Sequence, residues 1–192
     1  MTRNLVDCHI NDTLHHMNQA QHGTHSMIVY PNLNTLRDLY SAYTQKQIKE
    51  NNGIVLINPF YETTNSVRVT LSQYDHDGMD ISKCEKDGSL MIADSLEEYL
   101  GDQPLVYIKK GLANYSKMEK SGLSVVADMG AYPHKSKYKE LVDYELSLPK
   151  KFDVPMKGFC LYHQNDFDRL SDEQKQKLVE HHDRALKISE TH

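Results

Sequence analysis

Potential metal ligands are concentrated near the amino terminus. The group comprises Cys8, His9, His15, His16, His22 and His25. Thiolate and imidazole bind borderline metals such as zinc, so a metal site in this segment is one hypothesis. Structural zinc sites usually present closely spaced pairs of ligands, however, and these residues match no such spacing. We therefore interpret residues 1–24 as a polar, histidine-containing arm, and predict no metal ion and no other cofactor.

A phosphate site would lie after the first predicted strand. An apolar run ending in an aspartate, as at Leu123–Asp128, is the form in which nucleotide hydrolases hold magnesium. Such enzymes also need a glycine-rich loop that ends in Lys and Ser or Thr. The loop from Tyr30 to Leu36 has no glycine and no lysine, and Pro31 removes a backbone donor. These features predict that the chain does not hydrolyse ATP.

Other catalytic motifs are also missing from the sequence. There is no G-x-S-x-G elbow, and no spacing selects one Cys/His pair among three cysteines and eleven histidines. An enzyme hypothesis stays open because polar residues follow several predicted strands, where open α/β sheets bind ligands. In this alternative Asp94, Asp128 or His163 acts as acid, base or metal ligand toward a nucleotide or small metabolite.

Glu145 interrupts an otherwise apolar helical stripe. The stripe comprises Tyr138, Leu141, Val142, Glu145 and Leu148. A carboxylate in such a position is costly unless it is hydrogen-bonded or used in function, and desolvation is expected to raise its pKa. The alternative is a helical phase that differs by one residue, which would place Glu145 at the rim of the core.

Five short apolar runs alternate with amphipathic stretches after residue 25. The runs are Met27–Tyr30, Ile54–Ile57, Leu90–Ala93, Leu123–Ala127 and Gly158–Tyr162. Continuous apolar runs are typical of strands that are covered on both faces, and intervening helices provide the crossovers of a parallel sheet. The pattern predicts a three-layer α/β/α sandwich with a mainly parallel, five-stranded sheet in a single domain over residues 25–188.

Capping residues mark the predicted helices. Asn32 or Asn34, Thr63 or Thr64, and Asp80 are candidate N-caps, and Pro104 suits the first turn of another helix. Ser171 and Gln174 form a capping box for the final helix. Its predicted apolar face is Leu178, Val179, His182, Ala185 and Leu186. We interpret His182 as a packing residue of this face.

The composition narrows the possible partners. Lys and Arg number 22 against 27 Asp and Glu, and the net charge is -5, with no basic cluster that could follow a phosphate backbone. We therefore expect no direct nucleic-acid partner. No window approaches 18 consecutive apolar residues and the first twenty lack a signal peptide, which predicts no membrane association and a cytoplasmic location. The three widely separated cysteines suit a reducing compartment.

Several motifs occur in an order that resembles one known family. Gly23–Tyr30 has the form G-x-H-x-x-x-x-Y, and it is followed by Gly53–Asn58, Gly78-Met-Asp and Gly88–Asp94. Tyr144-Glu145 and Cys160-Leu-Tyr162 complete the pattern. The order resembles the MEDS domain, the sensory domain of methanogens and methylotrophs named after the regulator DcmR. The resemblance extends from about residue 20 to about residue 188.

The resemblance implies a RecA/KaiC-like core without a phosphate loop and a non-enzymatic sensory role. Members are thought to sense one-carbon compounds or hydrocarbon derivatives and to signal to a DNA-binding or kinase module. Neither module fits into the flanking residues of this sequence, so we expect a separate kinase or transcription regulator, or a homodimer, as partner. The ligand-binding residues expected are His25, Tyr30, Asn58, Glu145, Cys160 and Tyr162. Core packing is the alternative role for these side chains.

Overall fold

The computed structural model describes residues 4–50, 52–74 and 79–189. Within these ranges the strands are β1 (Val6–Cys8), β2 (His25–Tyr30), β3 (Ile54–Asn58), β4 (Leu90–Ile92), β5 (Leu123–Asp128), β6 (Met156–His163) and β7 (Arg184–Ile188). The helices are α1 (Ile10–Gln19), α2 (Leu33–Lys49), α3 (Thr64–Gln73), α4 (Ile81–Lys86), α5 (Ser95–Leu100), α6 (Val106–Asn114), α7 (Ala131–His134), α8 (Tyr138–Ser147), α9 (Gln164–Asp168) and α10 (Asp172–His181).

The strands form one sheet in the order β1-β7-β2-β6-β5-β3-β4, and every described pair is parallel. Every residue of β2, β3 and β5 is buried, as expected for strands covered on both faces. Buried side chains of α1 to α4 pack on one face, and those of α5 to α10 pack mainly on the other. The predicted parallel sheet with helices on both faces is confirmed.

Alternation along the central strands decides which residues can meet. Met27 and Val29 of β2 pack on the face covered by α8 and α10, and Ile28 and Tyr30 pack on the opposite face. Because side chains alternate with a period of two, His25 belongs to the first of these faces. His25 and Tyr30, both predicted site residues, are therefore separated by the sheet.

The described residues form a sheet of seven strands, so the prediction of five is wrong. The two additional strands, β1 and β7, extend one edge beyond β2. The sequence analysis placed Ala185 and Leu186 on the final helix, but α10 ends at His181. In the structure these two residues pair with Met27 and Ile28 of β2. Apolar pairing at an open sheet edge outweighs the local helical periodicity here.

The interpretation of residues 1–24 as an arm is corrected for the segments that form β1 and α1. β1 pairs with β7 in parallel, from Val6 opposite Leu186 to Cys8 opposite Ile188. Met17 of α1 is fully buried and packs with the α2 side of the core. The few apolar residues of this segment are enough to form a strand and a helix, because the sheet edge and α2 provide surfaces against which they pack.

The predicted caps agree with the structure at several helix starts. The side chains of Asn32, Thr63 and Asp80 accept hydrogen bonds from first-turn amides, and Ser171 forms the capping box with Gln174. Gly78, which belongs to the family-like pattern, lies outside the described residues. None of the helices that the structure describes has the length and apolar character needed to cross a bilayer.

Gly23 makes the turn into β2 possible. Its φ of +93° is unfavourable for residues with a side chain, and a Cβ atom would lie 2.8 Å from the carbonyl oxygen of Phe152. Gly53 precedes β3, and a Cβ atom at this position would lie 3.6 Å from its nearest neighbour, the carbonyl oxygen of Gln47.

We expect Gly23→Ala to lower the free energy of unfolding by at least about 1–2 kcal/mol, because of the left-handed backbone and the carbonyl contact. Gly53→Ala is the matched control and is expected to leave stability unchanged or to raise it by up to about 1 kcal/mol. Urea denaturation followed by circular dichroism measures both values. Equal effects of the two substitutions would contradict this account of the turn.

Candidate functional site

A buried carboxylate lies between α8 and the sheet. Glu145 projects from α8 with Leu141 and Val142, and its exposed fraction is 0%. The predicted helical phase is therefore confirmed, and the rim alternative is wrong. A fully buried carboxylate has to be hydrogen-bonded or paired with positive charge.

Four side chains surround the Glu145 carboxylate. Tyr162 of β6 donates a hydrogen bond of 2.7 Å to Oε1. Oε2 lies 3.4 Å from Nε2 of His25 and 3.3 Å from Nε2 of His182. The Sγ atom of Cys160 lies 3.6 Å from the same oxygen. We call these five buried residues the Glu145 cluster: His25, Glu145, Cys160, Tyr162 and His182.

Backbone carbonyls fix the orientation of both imidazole rings. Nδ1 of His25 lies 3.2 Å from the carbonyl oxygen of Pro149, and Nδ1 of His182 lies 2.7 Å from that of Leu178. A carbonyl oxygen can only accept, so each Nδ1 carries a proton and donates it. Both rings consequently direct Nε2 toward Glu145.

The charge state of the cluster follows from these contacts. Burial acts to raise the pKa of Glu145, as the sequence analysis expected, but the contacts with His182 and His25 lower it more. The pKa of Glu145 therefore lies well below its ordinary value, and the expectation of a raised pKa is wrong. Burial and the neighbouring Glu145 charge raise the pKa values of Cys160 and Tyr162, so both are protonated donors.

A small apolar cavity lies beside the cluster. Its volume is about 90 Å³, and His25 and Cys160 form part of its wall. The remaining wall is mostly aliphatic and aromatic, with Tyr99, Tyr144 and Phe152 among its side chains. The cavity is therefore almost wholly apolar, and two members of the Glu145 cluster contribute to its wall.

The structure brings four of the six predicted site residues together: His25, Glu145, Cys160 and Tyr162. Tyr30 lies on the other face of the sheet and donates a hydrogen bond of 2.7 Å to Asp128. Asn58 donates to the carbonyl oxygen of Ala93 and lies 3.3 Å from the hydroxyl of Tyr99, which lines the cavity.

His182 is the member of the cluster that sequence reasoning missed. It was interpreted as a packing residue of the final helix, but it is the residue that caps α10, and it is fully buried. A signal was present, since His182 follows the apolar pair Leu178 and Val179 by three or four residues, which brings a titratable ring to the core side of the helix.

The three residues proposed as catalytic groups in the enzyme hypothesis each accept hydrogen bonds within the fold. Asp94 accepts hydrogen bonds from the first-turn amides of α5, and His163 accepts one from the Asn165 amide. Asp128 accepts from Tyr30 and from the Gly130 amide. Burial raises the pKa of Asp128 to about 7, although these two hydrogen bonds favour its ionised form.

A comparison with protein-family models identifies the relationship. The model described as "MEDS: MEthanogen/methylotroph, DcmR Sensory domain" matches residues 24–183, which is most of the chain. The chain belongs to the MEDS family. A comparison with curated proteins gave no match. The matched range of this MEDS domain contains every member of the Glu145 cluster, from His25 to His182.

Removal of the central carboxylate tests the energetic role of the cluster. We expect Glu145→Ala to lower the free energy of unfolding by about 3–5 kcal/mol, because it leaves buried donors without their acceptor. Glu140→Ala, at an exposed position of α8, is the control, with an expected effect below about 1 kcal/mol. Chemical denaturation measures both, and a Glu145→Ala protein as stable as the control would contradict the assignment.

The raised pKa of Asp128 predicts a pH dependence of stability. The carboxyl binds its proton more tightly in the folded state than in the unfolded state, where its pKa is about 3.9. Its stabilising contribution is therefore complete below about pH 4 and is lost as the pH rises to about 7, at about 1.4 kcal/mol per pKa unit.

Asp128→Asn removes this titration while keeping an acceptor for Tyr30. We expect the unfolding free energy of the wild type, relative to the variant, to fall between about pH 4 and pH 7. Urea titrations at several pH values measure the difference. A difference that is constant or rises over this interval would contradict the prediction.

Proposed function

We propose that this MEDS domain binds a small organic molecule in the cavity beside the Glu145 cluster and signals its presence to a partner protein. Membership of a family of sensory domains supports the sensory role. The observation that carries the ligand-binding part is the apolar cavity with His25 and Cys160 in its wall. Ligand sites of this kind are mainly apolar, with a few polar groups that orient the ligand.

The size of the cavity restricts the class of ligand. An engineered apolar cavity of about 150 Å³ binds benzene. A volume of about 90 Å³ suits a molecule of only a few non-hydrogen atoms. This supports a one-carbon compound or a short hydrocarbon derivative, whose heteroatom or halogen would face His25 and Cys160.

The start of α2 supports a role other than nucleotide hydrolysis. The Asn32 side chain accepts a hydrogen bond from the Thr35 amide, so the first turn of the helix already has an internal acceptor. Phosphate-binding loops leave such amides free for the phosphate oxygens. We infer a core related to RecA and KaiC that has lost the phosphate loop and acts without catalysis.

The helix α6 connects the cavity to the surface. Ile108 of this helix and the preceding Leu105 line the cavity, while Val106 and Tyr107 are exposed. A ligand that fills the cavity would press on the inner side of α6 and alter the position of its outer side. We propose this outer side as the surface that reports to a separate kinase or transcription regulator, or to a second copy of the chain.

Two neighbouring residues of β5 provide a matched test of the cavity. Val125 lines the cavity, and Val126 packs on the opposite face of the sheet. We expect dichloromethane to raise the melting temperature of the wild type and of Val126→Ile. The added methyl group of Val125→Ile occupies ligand space and should weaken binding by about 10- to 200-fold. Thermal denaturation over a dichloromethane titration, compared with methanol and benzene, measures these effects.

A ligand present at about 100 times its Kd stabilises the folded state by about 2.7 kcal/mol, so the expected shift is easily measured. An equal loss of binding in Val125→Ile and Val126→Ile would contradict the cavity as the site. Stabilisation by neither dichloromethane nor methanol, or by benzene alone, would contradict the proposed ligand class.

A further inference from the structure

The Glu145 cluster contains a set of donor atoms that is chemically suited to a metal ion. Two imidazole nitrogens, one cysteine sulfur and one carboxylate oxygen all lie within 4.8 Å of one another, and all four residues are buried. We propose that these side chains bind one zinc ion: His25, Glu145, Cys160 and His182. No metal was expected from the sequence, and the metal hypothesis raised there concerned the group from Cys8 to His25, which shares only His25 with this site.

Four of the distances between the donor atoms match those between the ligands of a tetrahedral zinc ion. Zn–N and Zn–O bonds of about 2.0–2.1 Å place such ligand atoms about 3.3 Å apart, and a Zn–S bond of about 2.3 Å places sulfur about 3.5 Å from them. Glu145 Oε2 lies 3.4 and 3.3 Å from the two Nε2 atoms. Cys160 Sγ lies 3.5 Å from His25 Nε2 and 3.6 Å from Glu145 Oε2.

Direct hydrogen bonding accounts less well for these separations. Charge-assisted N–H···O bonds are usually about 2.7–2.9 Å long, and both contacts from Glu145 Oε2 to imidazole nitrogen are longer. The other oxygen of the same carboxylate, Oε1, makes a bond of 2.7 Å with Tyr162. The longer contacts of this carboxylate are therefore those of Oε2, toward which the two Nε2 atoms and the Cys160 sulfur converge.

Hydrogen bonds from outside the donor set hold the imidazoles and the carboxylate in the orientations that metal ligands adopt. Each histidine donates its Nδ1 proton to a backbone carbonyl, from Pro149 and from Leu178, and turns Nε2 toward Glu145 Oε2. Tyr162 holds the non-ligating oxygen of Glu145. Zinc-binding histidines and carboxylates have outer partners of these kinds.

The charges balance when zinc is bound. Binding replaces the S–H bond of Cys160 by a Zn–S bond and releases the thiol proton to solvent, together with any proton that the two Nε2 atoms carry toward Glu145 in the metal-free cluster, because imidazole ligates only through a deprotonated nitrogen. The thiolate and the Glu145 carboxylate then neutralise the two positive charges of the ion, as a fully buried site requires. His25 and Cys160 also line the cavity, so zinc would lie directly behind this part of its wall. Zinc binding by these four side chains requires no ligand in the cavity.

Cobalt and zinc titrations test the site in the full chain. After treatment with a chelator, we expect one equivalent of Co²⁺ to give the spectrum of tetrahedral cobalt with a thiolate-to-cobalt band, and Zn²⁺ to displace it. Cys160→Ser should lose the band, whereas Cys84→Ser, at a half-buried cysteine, should retain it. Tyr162→Phe should weaken zinc binding by about 10- to 100-fold.

X-ray absorption of the wild type loaded with one equivalent of Zn²⁺ keeps the test independent of the folding of variants. One sulfur and three nitrogen or oxygen neighbours are expected. A first shell without sulfur, or no stoichiometric binding at micromolar zinc, would overturn the proposal. Binding that survives in Cys160→Ser but is lost when His15 and His16 are replaced would overturn it in favour of the amino-terminal ligands.

Discussion

The burial of the Glu145 carboxylate is the strongest constraint on this structure. This group is fully buried, and its charge has to be compensated within the core. Tyr162 satisfies one oxygen, and His25 and His182 lie beside the other. These partners come from β6, from β2 and from the end of α10, so the compensation of one charge requires the correct packing of three separate elements against α8.

The parallel sheet makes this convergence possible. Cys160 and Tyr162 are two residues apart on β6, so both side chains face α8, and His25 is paired with Gly158 in the adjacent strand. A shift of β6 by one residue would turn both side chains to the opposite face. On that opposite face, Tyr30 and Asp128 form a second buried pair. The two faces thus carry separate polar groups, and the apolar cavity lies beside those of the α8 face.

Much of the site could be predicted because its residues carry clear local signals. Glu145 stands on an apolar helical stripe, and His25, Cys160 and Tyr162 lie in or beside apolar runs within a family-like order of motifs. His182 could not be assigned, since its role depends on where α10 ends and on which ring faces the carboxylate. The strand β7 was missed because its pairing with β2 joins residues about 158 positions apart, as for Ser26 and Arg184, and local periodicity does not report such pairing. Tyr30 was grouped with His25 because the two residues share a strand, but the structure places them on different faces of the sheet.

The orientation of the two imidazole rings tests the central claim most directly. Long-range ¹H–¹⁵N NMR spectra of the histidine side chains report which ring nitrogen carries a proton. The account predicts a protonated Nδ1 in both His25 and His182, which directs each Nε2 toward Glu145. His181 provides an internal comparison, because its Nε2 lies 2.9 Å from the carbonyl oxygen of Leu148 and should carry the proton. An Nδ1 without a proton in either His25 or His182 would contradict the arrangement on which the site depends.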